Sequence, residues 1–212
     1  MKKSLLFVSL ISTNLILGGC AASSGAVQYI DEEKMGTSTP VTLGLDYEDI
    51  KRSSLKLINS MLRSPYLNRM YKHNGGKPLV IMISDFTNDT TLRLDIDQIV
   101  KPIRIALLNS GKFIVTTAIR AGGPEDRATM ELRKLRKNKE INQRTIAKQG
   151  TVVAPDLSLS GKIIQRVTPL PKGKQRVDYY IQMSLTDTTS GLAFWEGEEV
   201  ISKAGSSKSA PW

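Results

Sequence analysis

Residues 78–86 read PLVIMISDF and form a nearly continuous apolar run. Asn74, Gly75 and Gly76 precede the run and a polar stretch at 87–91 follows it, so turn-forming residues bound it on both sides. A short apolar run between turn signals is typical of a buried central strand. We therefore expect a sheet that is built around this strand.

The segment before this strand predicts an amphipathic helix. Apolar residues recur at steps of three and four between Tyr47 and Met61, which is the period of a helix with one apolar face. Asp46 is suited to cap the N-terminus of this helix, and Pro65 either ends it or begins a new turn.

The segment after the strand predicts a second helix and a second strand. Apolar residues between Ile96 and Leu107 fall on one helical face, and Gly111 precedes a strand-like run at 112–117. Pro102 lies inside the helical pattern, so the helix either starts only a turn before the proline or is kinked there. Strand, helix and strand in this order are typical of a parallel crossover unit.

The C-terminal half predicts further helix and then a meander of strands. Residues 124–150 are expected to form one or two basic helices, with Asn138 as the divider. Strand-like runs follow at 156–167, 175–187 and 192–203, and residues 188–191 suit a hairpin turn. The predicted fold class is therefore α/β (α+β mixed), a single small domain with a mixed sheet of about four to five strands flanked by helices.

The N-terminal segment has the features of a bacterial lipoprotein signal. Lys2 and Lys3 precede an apolar stretch that is shorter than the roughly 20 residues of a membrane span. Residues 17–20 read LGGC, and Cys20 is the only cysteine. Small residues before the cysteine admit the peptidase, and the cysteine thiolate is the nucleophile that accepts the lipid. We predict diacylglyceryl and N-acyl lipid on Cys20, which gives lasting anchorage; a stray cysteine near a cleavage site is the alternative.

These patterns divide the chain into four parts. They are a signal peptide at 1–19, a lipidated flexible tether at 20–44, a folded domain at 45–203 and a disordered tail at 204–212. Ala21 and Ala22 follow the cysteine, and the lack of an aspartate there favours the outer membrane, at its periplasmic face. As a coil the tether spans roughly 28 Å on average and about 85 Å when fully stretched.

The net charge of +10 would attract nucleic acid, an anionic membrane surface or an acidic polymer. Basic residues concentrate at Arg133, Lys134, Arg136 and Lys137. Their interpretations are a solvated helix face, a contact with an acidic partner or anionic glycan, and, least favoured in an exported protein without interleaved aromatic residues, nucleic acid. Trp195 is expected to pack on the core, with a partner-facing anchor as the alternative.

The sequence indicates no catalytic or metal site. It contains no Walker loop, dinucleotide fingerprint or cluster of His and Cys ligands. The only histidine, His73, lies in a polar segment and is expected at the surface. Helix capping accounts better than metal binding for the nearby aspartates Asp85, Asp89, Asp95 and Asp97. We therefore expect no catalysis, no small-molecule substrate and no cofactor apart from the lipid.

Several stretches together resemble the LpoB-type lipoproteins, which are outer-membrane activators of class A penicillin-binding proteins. They are LGGC at 17–20, the helical region 45–65, SDFTNDTT at 84–91 with LNSGKF at 108–113, and APDLSLSG at 154–161 with SGLAFWEG at 190–197. The resemblance covers about residues 45–203. It implies a small α/β domain similar to the N-terminal domain of TolB, no catalysis, and a class A penicillin-binding protein as the partner whose glycosyltransferase and transpeptidase activities are raised.

The tether departs from the family pattern, in which a long Pro-rich linker crosses the periplasm. Here the linker is short and contains one proline. Either the partner projects further from the inner membrane, or the lipoprotein sits elsewhere, or the partner differs. A structural or assembly lipoprotein of another envelope complex, such as secretion or flagellar machinery, is therefore the alternative function.

Overall fold

The computed structural model describes residues 42–121, 123–206 and 208. The signal peptide, Cys20 and nearly all of the predicted tether lie outside the described residues, as do residues 207 and 209–212 of the predicted tail.

The described chain forms one mixed five-stranded sheet in the order β2-β1-β3-β4-β5. Parallel pairing joins β1 to β2 and β3, whereas β3, β4 and β5 form an antiparallel meander. The strands are β1 (Leu79–Asp89), β2 (Phe113–Val115), β3 (Leu157–Leu170), β4 (Lys174–Asp187) and β5 (Ala193–Ser206). The predicted fold class is confirmed. The first strand is an interior strand of the sheet, and β3 holds the middle position.

Three longer helices cover one face of this sheet and a short fourth helix lies apart in the connection to β3. The helices are α1 (Tyr47–Leu62), α2 (Pro65–His73), α3 (Ile96–Asn109) and α4 (Ala128–Lys134), the last followed by a 3₁₀ turn at Leu135–Lys137. A capping box between Asp46 and Asp49 starts α1, as the sequence predicts. Pro102 lies well inside α3, because that helix already begins at Ile96.

The core lies between α1, α2 and α3 and the sheet face that they cover. Ile81 and Ile83 of β1 and Leu157 and Leu159 of β3 point into it and are at most 1% exposed. Alternate residues of β1 are only half-buried. β1 is buried, as the sequence predicts, but helices cover only one of its faces, so its buried residues alternate with partly exposed ones.

A bulge in β1 places the ring of Phe86 over Gly161. The pairing with β3 shifts register between Ile83 and Phe86, so that Phe86 lies opposite Gly161. A Cβ at Gly161 would lie 2.4 Å from the Cε1 atom of Phe86, so only glycine leaves room for the ring.

The structure corrects the prediction for residues 124–150. Helical structure is limited to Ala128–Lys137, and the stretch from Asn138 to Gly150 consists of turns and irregular backbone. None of the residues between Ala128 and Gly150 is buried, so no apolar face packs on the core to stabilise a longer helix.

Three other boundaries also differ. β1 continues to Asp89, into the segment that was expected to be a loop, and β5 continues to Ser206, into the predicted disordered tail. Leu43, which falls in the predicted tether, is 5% exposed and packs against Val177 and Tyr179. The ordered domain therefore begins before residue 45 and extends beyond residue 203.

Candidate interaction surface

The residues that a catalytic or metal site would need are dispersed in the structure. His73 is the exposed last residue of α2. Asp95 caps α3 by accepting a hydrogen bond from the backbone N–H of Asp97 at 3.0 Å, which confirms its capping role. Within the described ranges there is no group of three or more His, Cys, Asp or Glu residues able to hold a metal ion. No helix among the described residues is long and apolar enough to cross a membrane.

The polar residues of the SDFTNDTT stretch hold their own loop together. The side chain of Asn88 accepts hydrogen bonds from the N–H and hydroxyl of Thr90 and donates to the carbonyl of Leu92 at 2.7 Å. Gln165 of β3 accepts from the N–H and hydroxyl of Thr91 at 2.8 and 2.9 Å. These contacts fix the path from β1 to α3, so this stretch is structural.

The LNSGKF stretch has a similar structural role. Gly111 ends α3 with a φ of +67°, a conformation that favours glycine. The ammonium of Lys112 then donates to the carbonyl of Leu62 at 3.0 Å and to the Oδ1 atom of Asn68 at 2.6 Å. Lys112 therefore joins the end of α1, where a cation is favoured, to α2.

The basic cluster of 133–137 does not present four equivalent free cations. Arg133 donates to the carbonyl of Thr129 and the hydroxyl of Thr151, and Arg136 donates to the carbonyls of Ala147 and Lys148. Both guanidinium groups therefore hold the long connection 138–151 against α4. Lys134 pairs with Glu131 at 2.7 Å, and Lys137 is exposed.

Trp195 packs against the core, as expected from the sequence. Its ring lies over Gly197, where an added Cβ would be 2.4 Å from the Cζ2 atom. The ring is half-buried, so the indole is part of the fold rather than a free anchor for a partner.

The start of the ordered domain is fastened to β4 and β5 by buried polar contacts. The ammonium of Lys203 lies 2.5 Å from the Oδ2 atom of Asp49, 2.7 Å from the carbonyl of Gly44 and 3.5 Å from the Oδ2 atom of Asp46. The hydroxyl of Tyr179 donates to the carbonyl of Leu43 at 3.0 Å.

The ionisation of this cluster follows from its burial and contacts. Burial, with the charge of Asp49 as a second cause, raises the pKa of Tyr179 to about 12. Burial also opposes ionisation of Asp46, but the hydrogen bond from the Asp49 N–H and the charge of Lys203 outweigh it and lower the pKa of Asp46. Tyr179 is therefore neutral and Asp46 charged near neutral pH.

An apolar groove lies between α1 and α3, and the sequence did not predict it. It has a volume of about 440 Å³ and is lined mainly by Tyr47 and Leu55 of α1 and by Pro102, Ile105 and Ala106 of α3. Ile105 is 48% exposed because it lies off the buried face of α3. The sequence does contain a signal for this groove, because Ile105 falls outside the spacing of three and four that the buried apolar residues of α3 follow.

The sequence from residue 49 to residue 201 matches the model of a family described as the peptidoglycan-synthase activator LpoB. The chain belongs to this family. The match spans nearly all of the ordered domain, from the first turn of α1 into β5. No curated protein sequence matches the chain.

Solved structures of LpoB proteins are similar to this family member. The LpoB C-terminal domain from Salmonella enterica is 16% identical with a TM-score of 0.42, covering 72% of this chain and 98% of that one. The NMR structure of Escherichia coli LpoB is 14% identical with a TM-score of 0.41, covering 94% and 84%. Lipoprotein GNA1162 from Neisseria meningitidis is 13% identical with a TM-score of 0.32, covering 60% and 84%.

Membership of the LpoB family sets the general role of the chain. The family is one of peptidoglycan-synthase activators, which are envelope lipoproteins and regulators rather than catalysts. The resemblance that the sequence shows to LpoB-type lipoproteins is confirmed by the family match.

Proposed function

We propose that this LpoB family member is lipid-anchored through Cys20 to the periplasmic face of the outer membrane, binds a class A penicillin-binding protein and raises its peptidoglycan synthesis. The proposal rests on the family match over 49–201. It makes the chain an allosteric effector, which has to bind the active state of the synthase more tightly than the resting state. The chain itself catalyses no reaction and uses no small-molecule substrate.

The LGGC sequence at 17–20 supports the anchor. Because Leu43 is already packed in the domain, the tether predicted from the sequence can extend no further than residue 42. A coil of this length spans roughly 26 Å on average and about 75 Å when fully stretched. The synthase therefore has to project towards the outer membrane over the remaining distance.

Activation is tested with the purified mature lipoprotein and the class A synthase of the same bacterium, both in detergent. We expect polymerisation of lipid-linked disaccharide precursor to rise several-fold, and to rise equally with a Cys20→Ser variant, since detergent makes the anchor unnecessary. Absence of both binding and stimulation at micromolar concentration would contradict the proposal. Recovery of the native protein by crosslinking with a secretion or flagellar complex instead would favour an assembly role.

The anchor has its own test. Mass spectrometry of the N-terminal peptide should find Cys20 as the first residue with diacylglyceryl and N-acyl groups, and membrane fractionation should place the protein with the outer membrane. The Cys20→Ser variant should appear in the soluble periplasmic fraction or as uncleaved precursor. An unmodified N-terminus of the native protein would refute the anchor without touching the activation assay.

A second candidate contact for an acidic partner comes from the sequence, the basic residues Arg133, Lys134, Arg136 and Lys137. Because the two arginines hold the 138–151 connection, reversing all four charges would disturb the fold as well as the surface. The clean variant is Lys134→Glu with Lys137→Glu, which should weaken binding and its salt dependence if this side faces the partner.

A further inference from the structure

The apolar residues that line the groove between α1 and α3 are not buried by any other part of the described chain. Tyr47 is 43% exposed and Ile105 is 48% exposed on its two walls. Leu55, Pro102 and Ala106 line the groove between them and are only half-buried. The described residues therefore leave an apolar concave strip in solvent beside a complete core, and covering such a strip is favourable by roughly 25 cal/mol for each Å² of apolar area.

Polar groups along the groove are available to an occupant. Among the described residues, no carboxylate pairs with Lys101, which lies on the α3 wall. Pro102 has no backbone N–H, so the carbonyl of Gln98 loses its usual intrahelical donor. Asn109 at the far end is exposed. The groove thus combines an apolar floor with one cation, the carbonyl of Gln98 and an amide.

The surroundings of the groove are positively charged. A second hollow of about 540 Å³ lies on the other side of α1 and shares Lys51 and Leu55 with the groove. The charged residues that line the two hollows are Lys51, Arg52, Lys56, Arg63 and Lys101 against the single carboxylate Glu48. Carboxylates neutralise part of this charge, since Lys51 pairs with Glu48, Arg52 with Asp49 and Lys56 with Glu199. Arg63 and Lys101 have no carboxylate partner among the described residues, so the balance of charge along the two hollows is positive.

We propose that this groove is the docking site for an acidic, amphipathic segment of the synthase, with apolar side chains against Ile105 and Leu55 and a carboxylate beside Lys101. The inference deepens the proposed function and rests on it. Charge complementarity selects an acidic segment, because a basic or neutral one would leave Lys101 without a counter-charge in a partly desolvated interface. The groove places the contact on the helical layer, away from α4.

Two other surfaces are less suited to bind an acidic, amphipathic segment. The hollow on the uncovered face of the sheet is lined by Gln182, Ser184, Glu196 and Glu198, and its polar groups already bond to one another across β4 and β5. The cluster near α4 uses two of its four cations internally. The α1–α3 groove, by contrast, joins an exposed apolar strip to Lys101, which has no carboxylate partner among the described residues.

The docking site is tested by photo-crosslinking with the mature lipoprotein and the purified class A synthase. A benzophenone amino acid replaces Ile105 in one variant and Val200 in the control. Val200 has the same 48% exposure but lies on β5 and pairs with Tyr180 of the uncovered face. We expect synthase adducts from the Ile105 position, mapped by mass spectrometry to a segment rich in carboxylates and apolar residues, and few from the Val200 position.

Substitutions give an independent measure. Ile105→Ser should weaken synthase binding by about tenfold, from the loss of buried apolar area. Lys101→Glu should weaken it several-fold and reduce its salt dependence. Val200→Ser and Lys174→Glu, an exposed lysine outside the groove, should leave it unchanged. Circular dichroism should confirm that all four variants are folded.

Several outcomes would overturn the inference. Adducts from the Ile105 position to a second copy of the chain, or to its own residues 20–41, would assign the groove to another occupant. A larger effect of Lys134→Glu with Lys137→Glu than of the groove variants would place the contact at α4. If the unaltered protein stimulates the synthase but the groove variants bind normally, only this inference fails. If the unaltered protein neither binds nor stimulates, the proposed function fails with it.

Discussion

Replacement of Lys203 by methionine tests whether the buried ion cluster stabilises the start of the domain. The side chain of Lys203 is 5% exposed and that of Asp49 is 8% exposed, with 2.5 Å between the ammonium and the carboxylate. Removing one member of a buried pair commonly costs about 3–5 kcal/mol, because the other charge is left buried. Arg52 still lies 3.0 Å from Asp49 after the change, so we expect the lower end, about 3 kcal/mol.

The measurement is urea unfolding at pH 7 with linear extrapolation to water. The matched control is Lys56→Met, which also breaks an ion pair between α1 and β5. That pair, with Glu199 at 2.7 Å, has a lysine 68% exposed, so its loss should cost less than about 1 kcal/mol. Adding Asp49→Leu to Lys203→Met should recover part of the stability, because both charges are then gone. Equal losses for Lys203→Met and Lys56→Met would refute the argument from burial.

Further predictions concern the fold. Gly161→Ala should lower the free energy of unfolding by about 1–3 kcal/mol, because its Cβ would collide with the ring of Phe86; urea unfolding that shows no change would mean that the ring moves freely. Asp95→Ala should cost about 1 kcal/mol through loss of the α3 cap, again read from urea unfolding. The pKa of Tyr179 is about 12 in the folded protein and near 10 when unfolded, so a stabilisation of about 3 kcal/mol is lost as the pH rises from 10 to 12. Tyr179→Phe should reduce that loss, in addition to a pH-independent penalty for the unpaired carbonyl of Leu43; identical pH slopes would contradict it.

The periodicity of the sequence predicts most elements because local pattern and packing agree there. The steps of three and four before Met61 and around Ile103 define faces that are buried against the sheet. The apolar run at 78–86 predicts the central strand, but it does not reveal that only one of its faces is covered. Which face helices cover depends on contacts distant in sequence, and no run of residues encodes them locally.

The prediction of helices over residues 124–150 was wrong beyond Lys137. There, hydrogen bonds from side chains to the backbone take the place of helical hydrogen bonds. Arginine and glutamine side chains, such as Arg136 and Gln143, bond to backbone carbonyls of this connection. The clustering of basic residues in the sequence did not reveal that Arg133 and Arg136 bond to neighbouring residues and that Lys134 pairs with Glu131. The lipidation motif at Cys20, by contrast, is recognised in the sequence and stays a prediction, because it lies outside the described residues.

The stretches that identify the family are also explained by the structure. Asn88 holds a loop, Lys112 joins two helices and Gly161 makes room for Phe86. The roles of these residues explain how the chain folds, but they do not identify the surface that binds a partner. This is why the resemblance could predict the fold and the general role but contributed no contact residue.

The fastening of Leu43 and Gly44 to Tyr179 and Lys203 has a mechanical consequence. If the protein is anchored through Cys20 and held by a synthase as proposed, it is under tension whenever the two membranes move apart. That force enters the domain at Leu43 and meets the buried cluster first, before it reaches Tyr47 at the groove. We therefore expect the buried contacts of Lys203 and Tyr179 to resist this force first. The groove between α1 and α3, which we propose as the docking site, would then keep its geometry.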